Sequence, residues 1–352
     1  MLTDLRLQNF RSYIDESFEF SPGVNIIVGP NTSGKTNLLE GVLVLAHGSS
    51  YRAKDGELIR FNQSWARLDC NLANSGQRTV KLVADPKPSK TYELDGRVYR
   101  RLSLQNSLPV VLFEPNHLQL LSGKPENRRD YLDDLLGQVT PGYSAVRSSY
   151  RRTLAQRNAI LKQVKLPTQV QLFPWDVRLS ELAGQIARAR SQLVYQNSSQ
   201  ASTLYKALSG TKTDLNLSYQ SAWPAESYQS HLLKTLEASL ETDRLRGFTT
   251  AGPHRDDLIV LFNGHPAQEL ASRGELRTAV LVLKLIELQI LQVARDGQLP
   301  ILLLDDVFSE LDGKRRHALT DYLAQYQTFI TTTDADLILK NITDNTNVIP
   351  LS

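Results

Sequence analysis

The spacing of apolar residues changes twice along the chain, from alternation to helical periodicity and back. Residues 2–10 alternate between apolar and polar positions, as in a half-buried strand. Residues 16–20 predict a second strand, a Ser-Pro-Gly turn follows, and the apolar run 24–28 predicts a fully buried strand. A helix is predicted over 34–46, and short strands are predicted at 67–72, 79–83, 97–99 and 108–113.

Helical spacing dominates from residue 124 to residue 210. Apolar residues recur every three or four positions, for example at Leu179, Leu182 and Ile186. Glycine and proline at 141–142, 167 and 174 predict breaks between separate helices, and no heptad repeat continues long enough for an extended coiled coil. The pattern predicts an inserted helical lobe that contains an antiparallel helix pair.

Strand-like runs return at 214–219 and 257–262, with a helical stretch over 226–246 between them. The C-terminal part predicts, in order, a helix over 275–294, a strand over 300–306, a helix over 313–326 and a strand over 328–334. Helices that lead into wholly apolar strands are typical of a parallel sheet in an α/β protein. We therefore expect an α/β fold in which segments 1–122 and 246–352 form one lobe and segment 123–245 forms the helical insertion.

Composition narrows the class of protein. The chain has 352 residues, of which 41% are hydrophobic and 22% charged, as in a globular protein of two domains or lobes. Cys70 is the only cysteine, which excludes an internal disulfide and a cysteine-based zinc site. No window approaches 18 uncharged apolar residues, and the charges within residues 1–20 are unlike a signal peptide. We expect a cytoplasmic protein without membrane association.

Charge is distributed unevenly along the chain. The net charge is +3, yet residues 147–190 hold nine basic and two acidic side chains, a local charge of +7. Such a segment predicts a surface for a polyanion such as DNA. A solvated helical face fits the same pattern equally well.

A phosphate-binding loop is predicted between the buried strand and the helix that follows it. The sequence GPNTSGKT matches G-x-x-x-x-G-K-[ST], in which glycines let backbone N–H groups approach the phosphates. Lys35 is placed to reach the β- and γ-phosphates, and the Thr36 hydroxyl to ligate Mg²⁺. We therefore expect ATP and Mg²⁺ as cofactors. The residues assigned to the nucleotide here are Gly29, Pro30, Asn31, Thr32, Ser33, Gly34, Lys35 and Thr36.

Two aspartates end the apolar strand ILLLDD. Because the ends of parallel strands face the nucleotide crevice, Asp305 is placed to hold Mg²⁺ in the Walker-B role. Asp306 is placed to orient or deprotonate the attacking water. We assign catalysis to Lys35, Asp305 and Asp306, and the metal to Thr36 and Asp305.

The segment ASRGELRTAV predicts a second helix N-terminus that is suited to bind an anion. Ser272, Arg273 and Gly274 precede the long apolar helix, and a Ser-x-Gly start offers free N–H groups. With the later FSELDG segment, this stretch resembles ATP-binding-cassette ATPases, which carry a Ser-x-Gly-Gln signature and a D-loop. The resemblance implies that Ser272, Arg273 and Gly274 bind the γ-phosphate of a nucleotide held by a second protomer.

Four further positions bear on that resemblance. The D-loop match places Ser309 and Asp312 at the dimer seam, and Thr332 lies nearest to the position of the transporters' switch histidine. Glu275 replaces the usual signature glutamine. Because a carboxylate repels phosphate, we expect the Glu275 side chain to point away, towards Arg273 or Arg277.

Three further stretches resemble the RecF family of recombination mediators, whose head is shared with SMC proteins. They are LRLQNFRSY…GVNIIVGPNTSGKTNLLEGV (5–42), FEPNHLQLLSGKPENRRDYLD (113–133) and TTAGPHRDDL (249–258). The resemblance implies an ABC/SMC-like P-loop ATPase head with a mixed sheet, an inserted lobe and no long coiled-coil arm. It also implies an ATP-dependent homodimer with weak, DNA-stimulated ATPase activity. Such a dimer acts on single-stranded, gapped or duplex DNA with RecR and RecO to help place RecA.

Candidate DNA contacts are basic residues on two segments. Arg52 and Lys54 follow the predicted P-loop helix, and Arg151, Arg152 and Arg157 lie in the basic lobe. Pairing with acidic neighbours is the alternative for each of them. In GPHRDDL, His254, Arg255 and Asp256 either brace the lobe or line the nucleotide seam, and bracing is the better supported role.

Three other functions share some of these motifs. The head ATPase of another SMC-like complex would carry the same nucleotide residues. A transporter ATPase subunit would share the signature but not the long basic insertion or the GPHRDDL segment. A P-loop phosphotransferase would leave residues 271–278 and 308–313 without a role.

Overall fold

The computed structural model describes residues 1–74, 76–85, 87–163, 168–308, 311, 313–323, 325–334 and 346–352, without the side chains of residues 118, 314, 318, 321 and 322. The chain divides into two compact units. The first combines Met1–His117 with Glu287–Ser352, and the second is Leu118–Ile286. Within the described residues, no helix is both long and apolar enough to cross a membrane.

The first unit begins with an antiparallel sheet in the order β2-β1-β4-β5-β6-β7. Its strands are β1 (Asp4–Phe10), β2 (Tyr13–Glu19), β4 (Trp65–Asn71), β5 (Gln77–Val83), β6 (Ser89–Leu94) and β7 (Arg97–Tyr99). Alternation selects the buried face, since Leu5 and Leu7 of β1 and Leu68 and Cys70 of β4 point into the core.

The second sheet of this unit is parallel, in the order β14-β3-β13-β12-β8. Its strands are β3 (Val24–Val28), β8 (Val110–Phe113), β12 (Ile301–Asp305), β13 (Thr328–Thr332) and β14 (Thr346–Pro350). Every residue of β12 and β13 is buried, which explains why all of them except Asp305 are apolar or small. Helix α10 (Gly313–Leu323) connects β12 to β13.

Helix α1 (Lys35–His47) packs against strands of both sheets of the first unit. Its residues from Leu38 to Ala46 are all buried, and all of them except Glu40 are apolar or small. Its N-terminus follows the loop after β3, and it ends at Gly48 in a left-handed conformation (φ 86°). The short helix α2 (Asp55–Leu58) comes next. The burial of α1 fixes the position of the phosphate-binding loop.

The second unit is mainly helical. Its helices are α3 (Pro125–Val139), α4 (Tyr143–Leu161), α5 (Gln169–Ser209), α6 (Tyr228–Ala238), α7 (Leu240–Arg246) and α8 (Ala267–Leu270), and α9 (Arg273–Ala294) runs through the boundary between the units. Arg157 bonds Asp176, whereas Tyr143 and Arg190 both bond Asp133. Helix α4 and the first half of α5 therefore run antiparallel, as predicted.

A three-stranded antiparallel sheet completes the second unit, in the order β11-β10-β9. Its strands are β9 (Leu215–Gln220), β10 (Asp257–Phe262) and β11 (His265–Pro266). Leu258 of β10 packs with Leu132 and Val194. The compact units divide at 117/118 and 286/287, whereas the sequence pattern predicts boundaries at 122/123 and 245/246. The second boundary lies later than predicted because β10 shares its core with the helices of the second unit.

The elements depart from the pattern in several places. Pro174 was expected to break a helix, but α5 runs through it. Pro174 is the sixth residue of α5 and removes one backbone hydrogen bond, the one to the carbonyl of Val170. Val170 lies in the first turn and its side chain is exposed, so the loss is tolerated and the helix continues. Strands β6 and β14 had no predicted counterpart, since their residues are largely polar and only partly buried. The α/β class with a helical insertion is confirmed.

Candidate nucleotide-binding site

The ends of three parallel strands in the first unit bring the predicted nucleotide residues together. Strand β13 lies between β3 and β12, with Thr332 opposite Val28 and Thr331 opposite Asp305. The carboxyl ends of all three strands therefore meet at one edge of the sheet. The phosphate-binding loop and Asp305 leave the sheet at this edge, as expected for a nucleotide crevice.

Both glycines of the phosphate-binding loop are required by close approach. A Cβ atom at Gly29 would lie 2.5 Å from the carbonyl oxygen of Leu351. Gly34 has φ 100°, and the Tyr13 hydroxyl donates to its carbonyl at 3.0 Å. This geometry leaves the loop compact, with its backbone held at the start of α1.

Lys35 is buried against its own loop. Its ammonium group donates to the carbonyl oxygens of Gly29 and Pro30, both at 2.8 Å. These bonds hold the cation against two carbonyl oxygens of the loop, with which a phosphate would compete for it.

Asp305 is the centre of a hydrogen-bonded cluster. Its Oδ1 accepts from the hydroxyls of Thr36 at 3.0 Å and Thr331 at 2.7 Å, and its Oδ2 accepts from the Tyr51 hydroxyl at 3.2 Å. The carboxylate is buried. The structure therefore joins Thr36 and Asp305, which are 269 positions apart in the sequence.

The paired hydroxyl and carboxylate fit Mg²⁺. Thr36 Oγ1 and Asp305 Oδ1 are both hard oxygen donors, and Mg²⁺ in nucleotide sites takes one or two protein oxygens together with phosphate and water oxygens. No group of three His, Cys, Asp or Glu side chains suited to a metal occurs within the described residues. The donor set matches a metal held jointly by protein and nucleotide.

Asp306 has an unusual backbone conformation and a raised pKa. It has φ 51°, and its N–H donates to Thr331 Oγ1 at 2.9 Å. Burial and the adjacent Asp305 carboxylate raise the pKa of Asp306, while Lys35 opposes the change. A carboxylate with a raised pKa beside a phosphate site is suited to accept a proton.

The signature residues begin α9 in the second unit. Ser272 and Arg273 are exposed, and Ser272 acts as the cap of the helix. Glu275 Oε2 accepts from both the backbone N–H and the hydroxyl of Ser272, each at 2.8 Å, while the Glu275 N–H donates to Ser272 Oγ at 3.3 Å. This reciprocal arrangement is a capping box.

The expected orientation of Glu275 is therefore wrong. Its carboxylate does not point away from Ser272 but occupies the hydroxyl and N–H that were assigned to a phosphate. The reason is local, since a glutamate at the third helical position satisfies the donors of the cap. A phosphate that binds Ser272 has to displace this carboxylate.

Two other elements of the signature resemblance have different outcomes. Ser309 and Asp312 of the D-loop match lie outside the described residues. The Thr332 hydroxyl donates to the carbonyl of Asp334, and the Asp334 N–H donates to Thr332 Oγ1, both at 3.1 Å. Thr332 thus shapes the turn after β13.

Arg52, a candidate DNA contact, is bonded to the P-loop helix. It donates to Asn37 Oδ1 at 2.7 Å and to Glu40 Oε2 at 3.1 Å, and its side chain is only partly exposed. Arg11 holds the same Glu40 through two hydrogen bonds. Burial opposes ionisation of Glu40, but the bonds from Arg11, Arg52 and Ser50 keep its pKa below the ordinary value.

The other candidate DNA contacts differ in exposure and pairing. Lys54 and Arg152 are exposed, and Arg152 donates weakly to Ser149 Oγ at 3.4 Å. Arg151 is exposed and pairs with Asp130 at 2.9 Å. Elsewhere in the basic segment, carboxylates neutralise Arg147, Arg178 and Arg190. The basic surface is thus smaller than the sequence charge of the segment indicated.

The assignment of Arg157 to DNA is wrong. Its side chain has no exposed surface and pairs with Asp176 at 2.6 Å and with Asp243 at 2.7 Å. It also donates to Thr249 Oγ1 at 2.8 Å. A buried guanidinium between two buried carboxylates links α4, α5 and α7 and cannot reach a DNA phosphate.

The GPHRDDL residues make contacts within the second unit. His254 Nδ1 lies 2.7 Å from the Tyr150 hydroxyl, and its Nε2 lies 3.1 Å from the Thr249 carbonyl. Burial lowers the pKa of His254 to about 4. Asp256 accepts from the hydroxyls of Tyr219 and Tyr228. These contacts support the bracing role over the alternative.

Two residues of the site, Tyr51 and Thr331, are not predicted from the sequence. Tyr51 directly precedes the predicted DNA contact Arg52, and Thr331 directly precedes Thr332. Both hydroxyls bond Asp305. Thr331 lies opposite Asp305 in the parallel sheet, so both side chains are on the same face. Because side chains alternate between the faces of a strand, only alternate residues of the TTTD run can lie on that face, and this alternation could have indicated Thr331.

Comparison with known proteins gives consistent matches. The family model described as RecF/RecN/SMC N terminal domain matches residues 1–350. The "DNA replication and repair protein RecF" of Heliobacterium modesticaldum is 36% identical over 94% of this chain and 91% of its own length. The protein of the same name from Staphylococcus aureus is 34% identical over 98% of this chain and 96% of its own.

Solved structures agree with the sequence matches. A structure of the recombination mediator protein RecF-ATPrS in the RecFOR pathway is 29% identical, covers 96% of this chain and 94% of its own, and has a TM-score of 0.87. The corresponding RecF-ATP structure is 30% identical, covers 95% and 92%, and has a TM-score of 0.84. An SMC head bound to the C-winged helix domain of ScpA is 17% identical with a TM-score of 0.55, which shows a shared fold. The expected SMC-like head is confirmed.

Proposed function

The chain belongs to the RecF family of DNA replication and repair proteins, and from that premise we propose that it is an ATP-dependent DNA-binding dimer of recombinational repair. Its dimer interface would contain two composite nucleotide sites. Each site would join the phosphate-binding loop of one protomer to Ser272, Arg273 and Gly274 of the other. The protein would act at gaps or single-strand/double-strand junctions, with RecR and RecO, to help place RecA. Its location in the cytoplasm stays a prediction.

The cluster around Asp305 is the observation that carries the proposal. A threonine at the start of the P-loop helix and an aspartate at the end of a buried strand share one hydrogen bond, and a second threonine holds the same carboxylate. This is the arrangement that a P-loop ATPase needs for a nucleotide and its metal. Mg²⁺ at these oxygens would neutralise charge on the β- and γ-phosphates.

The groups of this chain would then divide the chemistry of hydrolysis. Lys35 would exchange the carbonyls of Gly29 and Pro30 for phosphate oxygens. Asp306 would accept a proton from the attacking water, whose oxygen forms a bond to the γ-phosphorus while the bond to the ADP oxygen breaks. Thr331 would hold both aspartates in register, since it bonds the carboxylate of one and the N–H of the other.

Composite sites would explain why one chain carries two phosphate-facing helix starts. Glu275 would oppose the formation of each composite site, because the Ser272 hydroxyl would have to leave the Glu275 carboxylate before it bonded the γ-phosphate held by the partner. ATP would then stabilise the dimer, and hydrolysis would release it. Weak, DNA-stimulated turnover suits such a switch.

The candidate DNA contacts in this proposal are Arg52 and Lys54 of the first unit and, separately, Arg151 and Arg152 of the second. Arg52 is also bonded to Asn37 and Glu40 in the P-loop helix. A DNA phosphate that competed for Arg52 would therefore alter contacts one residue from Thr36. This provides a route by which DNA binding would influence ATP hydrolysis.

Sedimentation with and without ATP tests the composite site. Wild-type protein should form an ATP-dependent dimer, whereas Ser272→Arg should stay monomeric and still bind ATP, because the bulky side chain fills only the surface that meets the partner. Ser230→Arg, at another exposed serine of the same unit, is the matched control and should dimerise normally. Normal dimerisation of Ser272→Arg would refute the composite site.

A further inference from the structure

Arg78 occupies a core position without an ion-pair partner in the described part of the chain. On β5, the inward-facing residues are Arg78, Val80 and Leu82, and Arg78 is 9% exposed. Its Nη2 donates to the carbonyl of Asn106 at 2.6 Å, but Nη1 has no hydrogen-bond partner among the described residues. A buried donor of this kind is costly unless a ligand satisfies it.

The surroundings of Arg78 leave its charge largely uncompensated. Cys70 lies opposite it on β4, and burial raises the pKa of that thiol to about 12, so the thiol stays neutral. Asp95 is exposed, lies near the guanidinium and accepts from the Gln77 N–H at 2.8 Å. Burial lowers the pKa of Arg78, and Asp95 only partly opposes this.

A cavity of about 440 Å³ opens beside Arg78. Leu72 and Leu94 supply apolar walls, Gln105 and Asn106 supply amides, and Arg97 adds a second cation. The cavity is far larger than one ion, and its walls suit a side chain that carries methylene groups and ends in an anion.

The cavity also lies beside a sheet edge that pairs with no further strand among the described residues. Strand β7 ends the six-stranded sheet, and its residues Arg97 and Tyr99 line the cavity. An extended peptide that pairs with such an edge directs alternate side chains towards one face of the sheet. One such side chain would enter the cavity beside Arg97, which pairs with Leu94, the partner of Arg78 in the sheet.

We propose that this cavity docks an acidic peptide segment of a partner protein, with one Asp or Glu carboxylate bound to Arg78. A guanidinium with a free Nη1 suits a planar carboxylate. A phosphate of duplex DNA is a poor ligand for Arg78, because Arg78 is buried and the backbone of a duplex is too broad to enter the cavity. The site lies outside the nucleotide cluster, so it does not depend on the ATPase assignment.

Nuclear magnetic resonance of protein labelled with ¹⁵N-arginine tests the docking site directly. The Arg78 side-chain signal is identified by its loss in Arg78→Met. N-acetyl-glutamate methylamide at constant ionic strength should shift this signal saturably, and the neutral glutamine analogue should not. Inorganic phosphate and a thymidine oligonucleotide are the competing probes. A shift with either of these but not with the glutamate analogue would overturn the proposal, as would no shift with any probe.

Variants separate binding from structure. Arg78→Met should weaken binding of the glutamate analogue by at least about tenfold, because a charge-assisted hydrogen bond is lost. Its melting temperature without ligand should be no lower than that of wild type, since an uncompensated buried charge is removed. Arg100→Met, at an exposed arginine outside the cavity, should bind as wild type does. A marked loss of stability in Arg78→Met would give the guanidinium a structural role and overturn the proposal.

Discussion

At the scale of single residues, two neighbouring aspartates have separate environments. Asp305 is buried and accepts three hydroxyl hydrogen bonds, which hold its two carboxylate oxygens in place for a metal. Asp306 has a raised pKa and a left-handed backbone that turns it off the strand. Different surroundings therefore separate a metal ligand from a proton acceptor.

Asp306→Asn should slow ATP hydrolysis by about a hundredfold or more, because general-base catalysis contributes at least this much. Binding of ATP and dimerisation should persist, so the ATP-bound dimer accumulates. Single-turnover hydrolysis and sedimentation of the same samples measure the two effects. Unchanged turnover would remove Asp306 from its proposed role.

Substitution of two arginines of the basic lobe should change the free energy of unfolding by very different amounts. Arg157→Ala should lower the free energy of unfolding by about 3–5 kcal/mol, because it leaves Asp176 and Asp243 buried without a counter-ion. Arg152→Ala should change it by less than about 0.5 kcal/mol, as expected at an exposed site. Urea unfolding of both variants measures the difference.

Substitution of Arg152 also tests DNA binding. Arg152→Ala should weaken DNA binding and reduce the slope of log affinity against log salt by about 0.9, corresponding to one phosphate contact. Arg178→Ala, at an exposed arginine paired with Glu181, is the control. An unchanged salt slope in Arg152→Ala would move the DNA surface to other residues.

At the scale of elements, local motifs were predictable and long-range partners were not. The phosphate-binding loop and the aspartates after β12 follow from contiguous patterns, so their residues meet as expected. Tyr51 reaches Asp305 from a loop, a contact that depends on where α1 ends. Arg157 has the sequence context of a solvated helix, and its burial depends on carboxylates contributed by α5 and α7.

The segment between α7 and β10 should make the stability of the second unit dependent on pH. His254 is neutral when folded because burial lowers its pKa from 6.5 to about 4. The unfolded chain therefore binds a proton first, and stability contributed by His254 is lost as pH falls from 6.5 to 4.

His254→Gln should flatten the pH dependence of the unfolding midpoint in that window. The expected difference from wild type is at most about 3 kcal/mol, the equivalent of the shift in pKa. Above pH 7 the variant should show only a constant offset from the lost Tyr150 contact. Parallel curves between pH 6.5 and pH 4 would mean that His254 is not held neutral.

At the scale of the whole molecule, the nucleotide residues are distributed over two compact units. The phosphate-binding loop, Asp305 and Asp306 belong to the first unit, and the signature residues belong to the second. Sequence similarity over nearly the full length of RecF relatives establishes the family. The proposal that two protomers complete each site is the central claim, and it concerns an assembly rather than one chain.

Mixing two defective variants tests this claim most directly. Lys35→Ala should fail to bind ATP productively, and Ser272→Arg should fail to complete the partner's site, so each alone should be nearly inactive as an ATPase. A mixed dimer regains one intact site, formed by Lys35 of the Ser272→Arg protomer and Ser272 of the Lys35→Ala protomer. We expect the mixture to hydrolyse ATP at a rate well above the sum of the rates of its two components. A mixture that only equals that sum would contradict it.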